Sequence, residues 1–211
     1  MLIELQQVIP TPLPKKIIEF SEVWNLNLVF KPQSRILISA QSGMGKSTLL
    51  HLIYGLRDDY QGRLLIDGQY TRDLTYKNWV TLRRRNISLI FQDLRLFPHL
   101  SARENLILIP DPNPASPSID EMAERLGMHT FLEQSVYTLS HGQRQRIAII
   151  RALLKPFQLL LLDEPFSHLD EENQSYACEL IQEITDKNNA GIILSSLGTD
   201  PNLKFDKRYS L

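Results

Sequence analysis

The chain has 211 residues, 43% of them hydrophobic and 22% charged, enough to bury one core and stay soluble. Its 23 basic and 24 acidic residues leave a net charge of -1, which excludes the basic excess that grips nucleic acid. Cys178 is the single cysteine, which rules out an internal disulfide and fits a reducing compartment.

In chain order, the opening "MLIELQQVIPTPLPKK" lacks the basic start and apolar stretch of a signal peptide. Its prolines, Pro10, Pro12 and Pro14, favour an extended loop over a helix. "LNLVF" (26–30) and "RILISA" (35–40) predict strands around a turn at 31–34. "GKSTLLHLIYGL" predicts a helix with Gly55 as its C-cap. "GRLLIDGQ" carries Asp67-Gly68, a hairpin signal. Arg83, Arg84 and Arg85 read as a solvated basic face before a strand at 86–92. A second proline group, Pro110, Pro112, Pro114 and Pro117, predicts a connection between two subdomains.

Ser118 and Glu121 have capping-box spacing, and Ile119, Met122, Ala123 and Leu126 share one face before Gly127. "HGQRQRIAIIRALL" predicts a longer helix, and "LLLLDEP" a short apolar strand suited to a buried parallel sheet. Tyr176, Leu180 and Ile184 repeat along one helical face, with Cys178 as a small core residue, and "GIILSS" predicts a last buried strand. Strand and helix alternate, so the class is α/β with a helical insertion. No apolar run approaches the roughly 18 residues of a membrane span, so any crossing would fall to a partner chain.

Two stretches carry chemistry. "SAQSGMGKSTLL" (39–50) follows a strand, opens a helix and nearly matches G-x-x-x-x-G-K-[ST]. Backbone N–H groups across Ser42, Gly43, Met44, Gly45 and Thr48 would cradle phosphates, Lys46 would neutralise β/γ charge and Ser47 would hold Mg²⁺. A chance glycine-rich turn is the plain alternative. In "LLLLDEP", Asp163 ends a buried strand where α/β sheets bind ligands and can serve Mg²⁺, while Glu164 can polarise an attacking water. Alone, the pair could equally be a helix cap; with the phosphate loop it reads as catalytic.

With these motifs the chain resembles the nucleotide-binding subunits of ATP-binding cassette (ABC) transporters over nearly its whole length. "TLSHGQRQRIAIIRALL" resembles the family signature L-S-G-G-Q and its helix, "LIFQDLRLFPHLSARENL" the segment carrying the family's glutamine, here Gln92, and "SHLD" (167–170) the S-x-L-D loop. The resemblance implies a P-loop NTPase fold of the ABC type in a single domain, 1–211. Its core sheet would be mostly parallel, with an N-terminal antiparallel β region and a helical subdomain inserted at roughly 94–150. It implies a head-to-tail dimer with itself or a paired ABC subunit, each copy clamping ATP against the other's Ser140, Gly142 and Gln143. Gln92 would touch metal or water, and Asp170 would bridge the protomers. It also implies a separate membrane permease docked on the helical subdomain, and a cytoplasmic position on the inner face of the membrane. The chain's end at "KRYSL" leaves no room for the appended regulatory domain of some importers. A DNA-repair or chromosome ATPase would need a long heptad run, which the sequence lacks.

Four positions depart from the pattern. Ala40 stands at the loop's first glycine, at a cost of about 1–2 kcal/mol if its φ is positive and none otherwise. His141 stands at the first signature glycine; its ring must point away from the phosphate or stack at the dimer interface, and partial charge would aid phosphate binding. "TPLPKK" holds no aromatic for adenine, and nearby Phe20 and Trp24 are expected to face the core. In "IILSSLGTD" the family's switch histidine falls on Leu197, a loss worth on the order of 100-fold in rate. Slow hydrolysis follows; a non-catalytic, ATP-gated binding module is the alternative.

Overall fold

The computed structural model describes residues 1–114, 116–198 and 202–211. Two sheets form the frame. An antiparallel sheet, in the order β2-β1-β4-β5, is built from β1 (Ile3–Pro10), β2 (Asn27–Phe30), β4 (Tyr60–Ile66) and β5 (Gln69–Tyr70). A five-stranded parallel sheet runs β6-β7-β8-β3-β9, from β3 (Arg35–Ser39), β6 (Ile87–Ile90), β7 (Leu159–Asp163), β8 (Gly191–Ser196) and β9 (Lys207–Ser210). β7 and β8 are buried along their whole length, as their unbroken apolar runs require of a sheet covered on both faces.

The described residues also hold seven α-helices, α1 (Lys15–Phe20), α2 (Lys46–Ile53), α3 (Tyr76–Arg85), α4 (Ala102–Ile107), α5 (Ile119–Arg125), α6 (His141–Leu154) and α7 (Glu171–Lys187), and three short 3-10 turns. Capping boxes start four of them, at Thr75, Ser101, Ser118 and Ser140. Two apolar clusters hold the layers together. One joins the parallel sheet to α5, α6 and α7 through Leu126, Ile150, Leu162 and Ile181; the other joins both sheets to α2 through Leu5, Leu49, Leu64 and Leu161. Cys178 lies in the first cluster, and burial pushes its thiol up to about 12.

Several expectations change. The first proline group stays outside helix as expected, but a short helix follows it directly: Pro14 is the extended N-cap of α1, and the chain turns helical at Lys15. Phe20, at its end, is 72% exposed rather than core-facing. Of the predicted α7 stripe, Leu180 and Ile184 are buried as expected, with Ala177 and Ile181 beside them, while Tyr176 is exposed. Arg83 is not merely solvated. Its guanidinium donates to the carbonyls of Tyr54 and Gly55, satisfying the C-terminus of α2, while Arg84 pairs with Asp111. Strand β9, which composition did not reveal, adds to β3 in parallel with Ile36 beside Lys207.

Candidate active site

The loop 40–45 leaves β3 and enters α2. Gly43 (φ 81°) and Gly45 (φ 101°) take left-handed conformations that L side chains resist. A Cβ on Gly45 would also press to 3.3 Å from the indole of Trp24, which is buried as the floor of the loop. Trp24 thus faces inward as expected. Ala40 is absent from the described residues of positive φ, so alanine costs nothing there. Its N–H donates to Ser196 O, tying the loop to β8.

Lys46 is buried, and its ammonium has three acceptors: Ala40 O at 2.8 Å, Gln41 O at 3.0 Å and Glu164 Oε1 at 3.2 Å. Glu164 follows β7 with φ 48°, an uncommon conformation for a non-glycine residue and a frequent mark of functional sites. Its N–H faces Ser195 O and Oγ at 3.3 and 3.2 Å, and its Oε2 is 3.5 Å from Gln92 Nε2. Lys46, Glu164 and Gln92 therefore converge from three separate elements.

Ser47, Gln92 and Asp163 line one cavity of about 250 Å³, with His51, Phe91, Asp93 and Arg95. Asp163 is 1% exposed; its Oδ1 accepts from Ser195 Oγ at 2.7 Å, while its buried Oδ2 has no hydrogen-bond partner. A buried carboxylate oxygen without a donor is costly unless a cation or its water satisfies it. A hydroxyl, an amide and a carboxylate are hard oxygen donors, so the set fits a small divalent cation better than a thiophilic metal.

Ser195 is not among the predicted site residues, yet it touches both acids. The signal was a pair of serines closing an apolar strand, "IILSS". It orients Asp163 and holds the backbone of Glu164 at once. Ser195→Ala is expected to weaken divalent-cation dependence about ten-fold, the size of effect that outer-shell partners carry. Titrating the divalent cation at saturating nucleotide measures it; an unchanged half-saturation point would show that Asp163 needs no such partner.

The signature residues assemble elsewhere, at the start of α6 against the loop 167–170. Ser140 Oγ accepts from Gln143 N at 3.2 Å, and Gln143 Oε1 from Ser140 N at 2.8 Å, so these two are engaged in capping their own helix. The N–H groups of His141 and Gly142 remain without an intrahelical acceptor. Gly142 is required by space: a Cβ would lie 2.8 Å from His168 O.

One expectation for His141, its partial positive charge, is corrected. Its ring stacks on His168 of the same chain, centroids 3.8 Å apart. Burial first, then the nearby His168 and Arg144 charges, push its pKa down, so it brings no partial positive charge to a phosphate at neutral pH. Asp170 caps α7 through Asn173 N at 2.8 Å. Gln145, also unread in the sequence, is buried; it donates to Glu164 O at 3.2 Å and accepts from His168 N at 3.2 Å. Leu197 is half exposed and shares a cavity of about 160 Å³ with Glu164, Phe166 and Ser195. Thr199 and Asp200, which close the stretch read against the switch motif, lie outside the described residues.

A glycine loop opening a helix beside a strand that ends in two acids defines a P-loop nucleotide-binding protein. The chain belongs to the ABC transporter family, whose model matches residues 23–167. It is 37% identical over 174 residues to the thiamine import ATP-binding protein ThiQ of Haemophilus influenzae, covering 80% of this chain and 78% of that one. It is 38% identical over 160 residues to the molybdenum import ATP-binding protein ModC of Rhizobium etli, covering 74% of this chain and 45% of ModC. The chain thus spans about half the length of the ModC relatives it matches, 45% and 50%. The fold matches a dimeric ATP-binding cassette, MJ0796 bound to ADP and Pi, with TM-score 0.74 and 28% identity over 92% of this chain and 87% of that one.

Proposed function

We propose that this chain is the ATP-binding, ATP-hydrolysing subunit of an ABC transporter. One observation carries the reading: Lys46, Ser47, Gln92, Asp163 and Glu164 converge on the start of α2, with Asp163 Oδ2 buried and unpartnered. Residues 42–48 hold the phosphates of ATP, with Lys46 exchanging its present acceptors for β- and γ-oxygens. Ser47, Asp163 and Gln92 would hold Mg²⁺, which when bound would neutralise developing phosphate charge. Glu164 takes the proton of the attacking water, and Gln92 orients that water.

Ser140, Gly142 and Gln143 serve the nucleotide of a second copy or a paired subunit: the N–H groups of His141 and Gly142 face it, and Ser140 and Gln143 cap the helix that presents them. The helical segment, roughly 94–150, faces a membrane permease on the cytoplasmic side. The relatives named for thiamine and molybdenum import support an importer. Cargo chemistry belongs to the permease.

The non-catalytic reading rests on Leu197, which brings no hydrogen-bond donor to the cavity it shares with Glu164. A coupled-enzyme assay decides. Slow wild-type turnover is expected, and Leu197→His should raise it by about ten-fold or less, below the full value of one preorganised donor. Adding Glu164→Gln should abolish the gain. Wild type that binds ATP without any turnover would favour the binding module; a Leu197→His variant slower than an already fast wild type would mean that no switch residue is missing.

A further inference from the structure

The residues above account for phosphate, cation and water, and leave the base of the nucleotide without a partner. On the proposed reading, the cavity lined by Ser47, Gln92 and Asp163 is the cation side and takes the γ end of the phosphate chain. Successive helix residues point about 100° apart, so Thr48 faces a different direction from Ser47. The nucleoside end therefore leaves the start of α2 past Thr48.

Arg57 stands there. Its Nη1 donates to Thr48 Oγ1 at 3.3 Å. Its Nε and Nη2 donate to the two carboxylate oxygens of Asp59, at 2.8 and 2.5 Å. Nη2 also reaches Thr11 O at 3.1 Å, in the loop that follows β1. The same loop is tied down by Thr11 N donating to Asp59 O at 2.8 Å. The guanidinium is thus anchored along its edges, between the phosphate-loop helix and the segment 11–14, and its side chain stays 31% exposed. A surface pair such as Arg57–Asp59 contributes little to stability by itself. It does fix the plane of a group that stacks well on aromatic faces. The segment 11–16, "TPLPKK", offers no aromatic ring, and Trp24 is buried beneath Gly45.

We propose that Arg57, held flat by Asp59 and Thr11, is the platform on which the purine base of the bound nucleotide stacks. The inference rests on the nucleotide-binding reading above. Stacking uses the face of a base and not its edge, so adenine and guanine nucleotides bind with similar affinity.

The test is equilibrium titration of the full chain with ATP, GTP and inorganic tripolyphosphate, with thermal unfolding of each variant alongside. Arg57→Ala is expected to weaken ATP and GTP each about ten-fold and to leave tripolyphosphate unchanged. Arg57→Lys, which keeps the charge and loses the plane, should fall as far. Arg57→Tyr, which restores a plane without the charge, should bind ATP within about three-fold of wild type. Unchanged ATP affinity in Arg57→Ala overturns the assignment. So does an equal loss of ATP and tripolyphosphate in a variant that unfolds like wild type, or a loss confined to Phe20→Ala. If Arg57→Ala does not fold, equal ATP affinities for Arg57→Lys and Arg57→Tyr overturn it. Wild type that binds neither ATP nor tripolyphosphate defeats the nucleotide reading itself, a separate result from any of these.

Discussion

Lys46→Ala is expected to weaken nucleotide binding by at least about 100-fold. An ammonium 4 Å from a phosphate charge is worth about 4 kcal/mol at the effective dielectric of a protein surface. Lys46 is the buried cation at the start of α2, within reach of both the loop carbonyls at 40 and 41 and the Glu164 carboxylate. The substitution also strands Glu164 without its ammonium partner, and an uncompensated carboxylate repels an incoming polyphosphate. Both effects act in the same direction. Titration with a fluorescent ATP analogue measures the loss, with thermal unfolding as the control for the broken ion pair. Affinity unchanged from wild type would remove the phosphate-loop assignment.

Glu164→Gln is expected to separate binding from chemistry. The amide keeps the shape of the side chain and the backbone conformation at φ 48°, and it can still face Lys46 and Gln92. It cannot accept the proton of an attacking water. Hydrolysis should fall by about 100-fold or more, the usual worth of a positioned base, while ATP affinity stays within a few-fold of wild type. Stalled chemistry should preserve a two-copy complex in Mg-ATP, read by size-exclusion chromatography. A variant that turns over at the wild-type rate would dismiss Glu164 as the base. One that stays monomeric at high protein concentration would count against the clamped dimer.

The features that sequence revealed best are those written in consecutive residues. A phosphate loop is a run of backbone conformations, so its glycines and lysine announce it; Gly43 and Gly45 indeed hold positive φ. The capping box at Ser118 is likewise local, and so is the buried strand 159–163. What escaped depends on residues far apart in the chain. Strand β9 exists because Lys207 to Ser210 find the free edge of β3, a register with no local signature. His141 stacks on His168, 27 positions on, because two segments distant in sequence meet. Ser195 is a plain strand serine until β7 sets Asp163 beside it. Ala40 looked like a defect under a motif defined by residue type, whereas the backbone there asks for nothing special.

The side chain of Gln145 joins two distant functions by a single amide. One end holds the carbonyl of Glu164, and the other holds the N–H of His168, from within the helix that Ser140 begins. Such a clasp makes thermodynamic linkage unavoidable. Any ligand that prefers one placement of α6 biases the backbone of the acid by the same free energy, and occupancy around the acid biases α6 equally in return. Under the proposed mechanism, a neighbouring molecule that pressed on the start of this helix would act on proton transfer at Glu164 without touching the water, and the reverse message would cost no additional machinery.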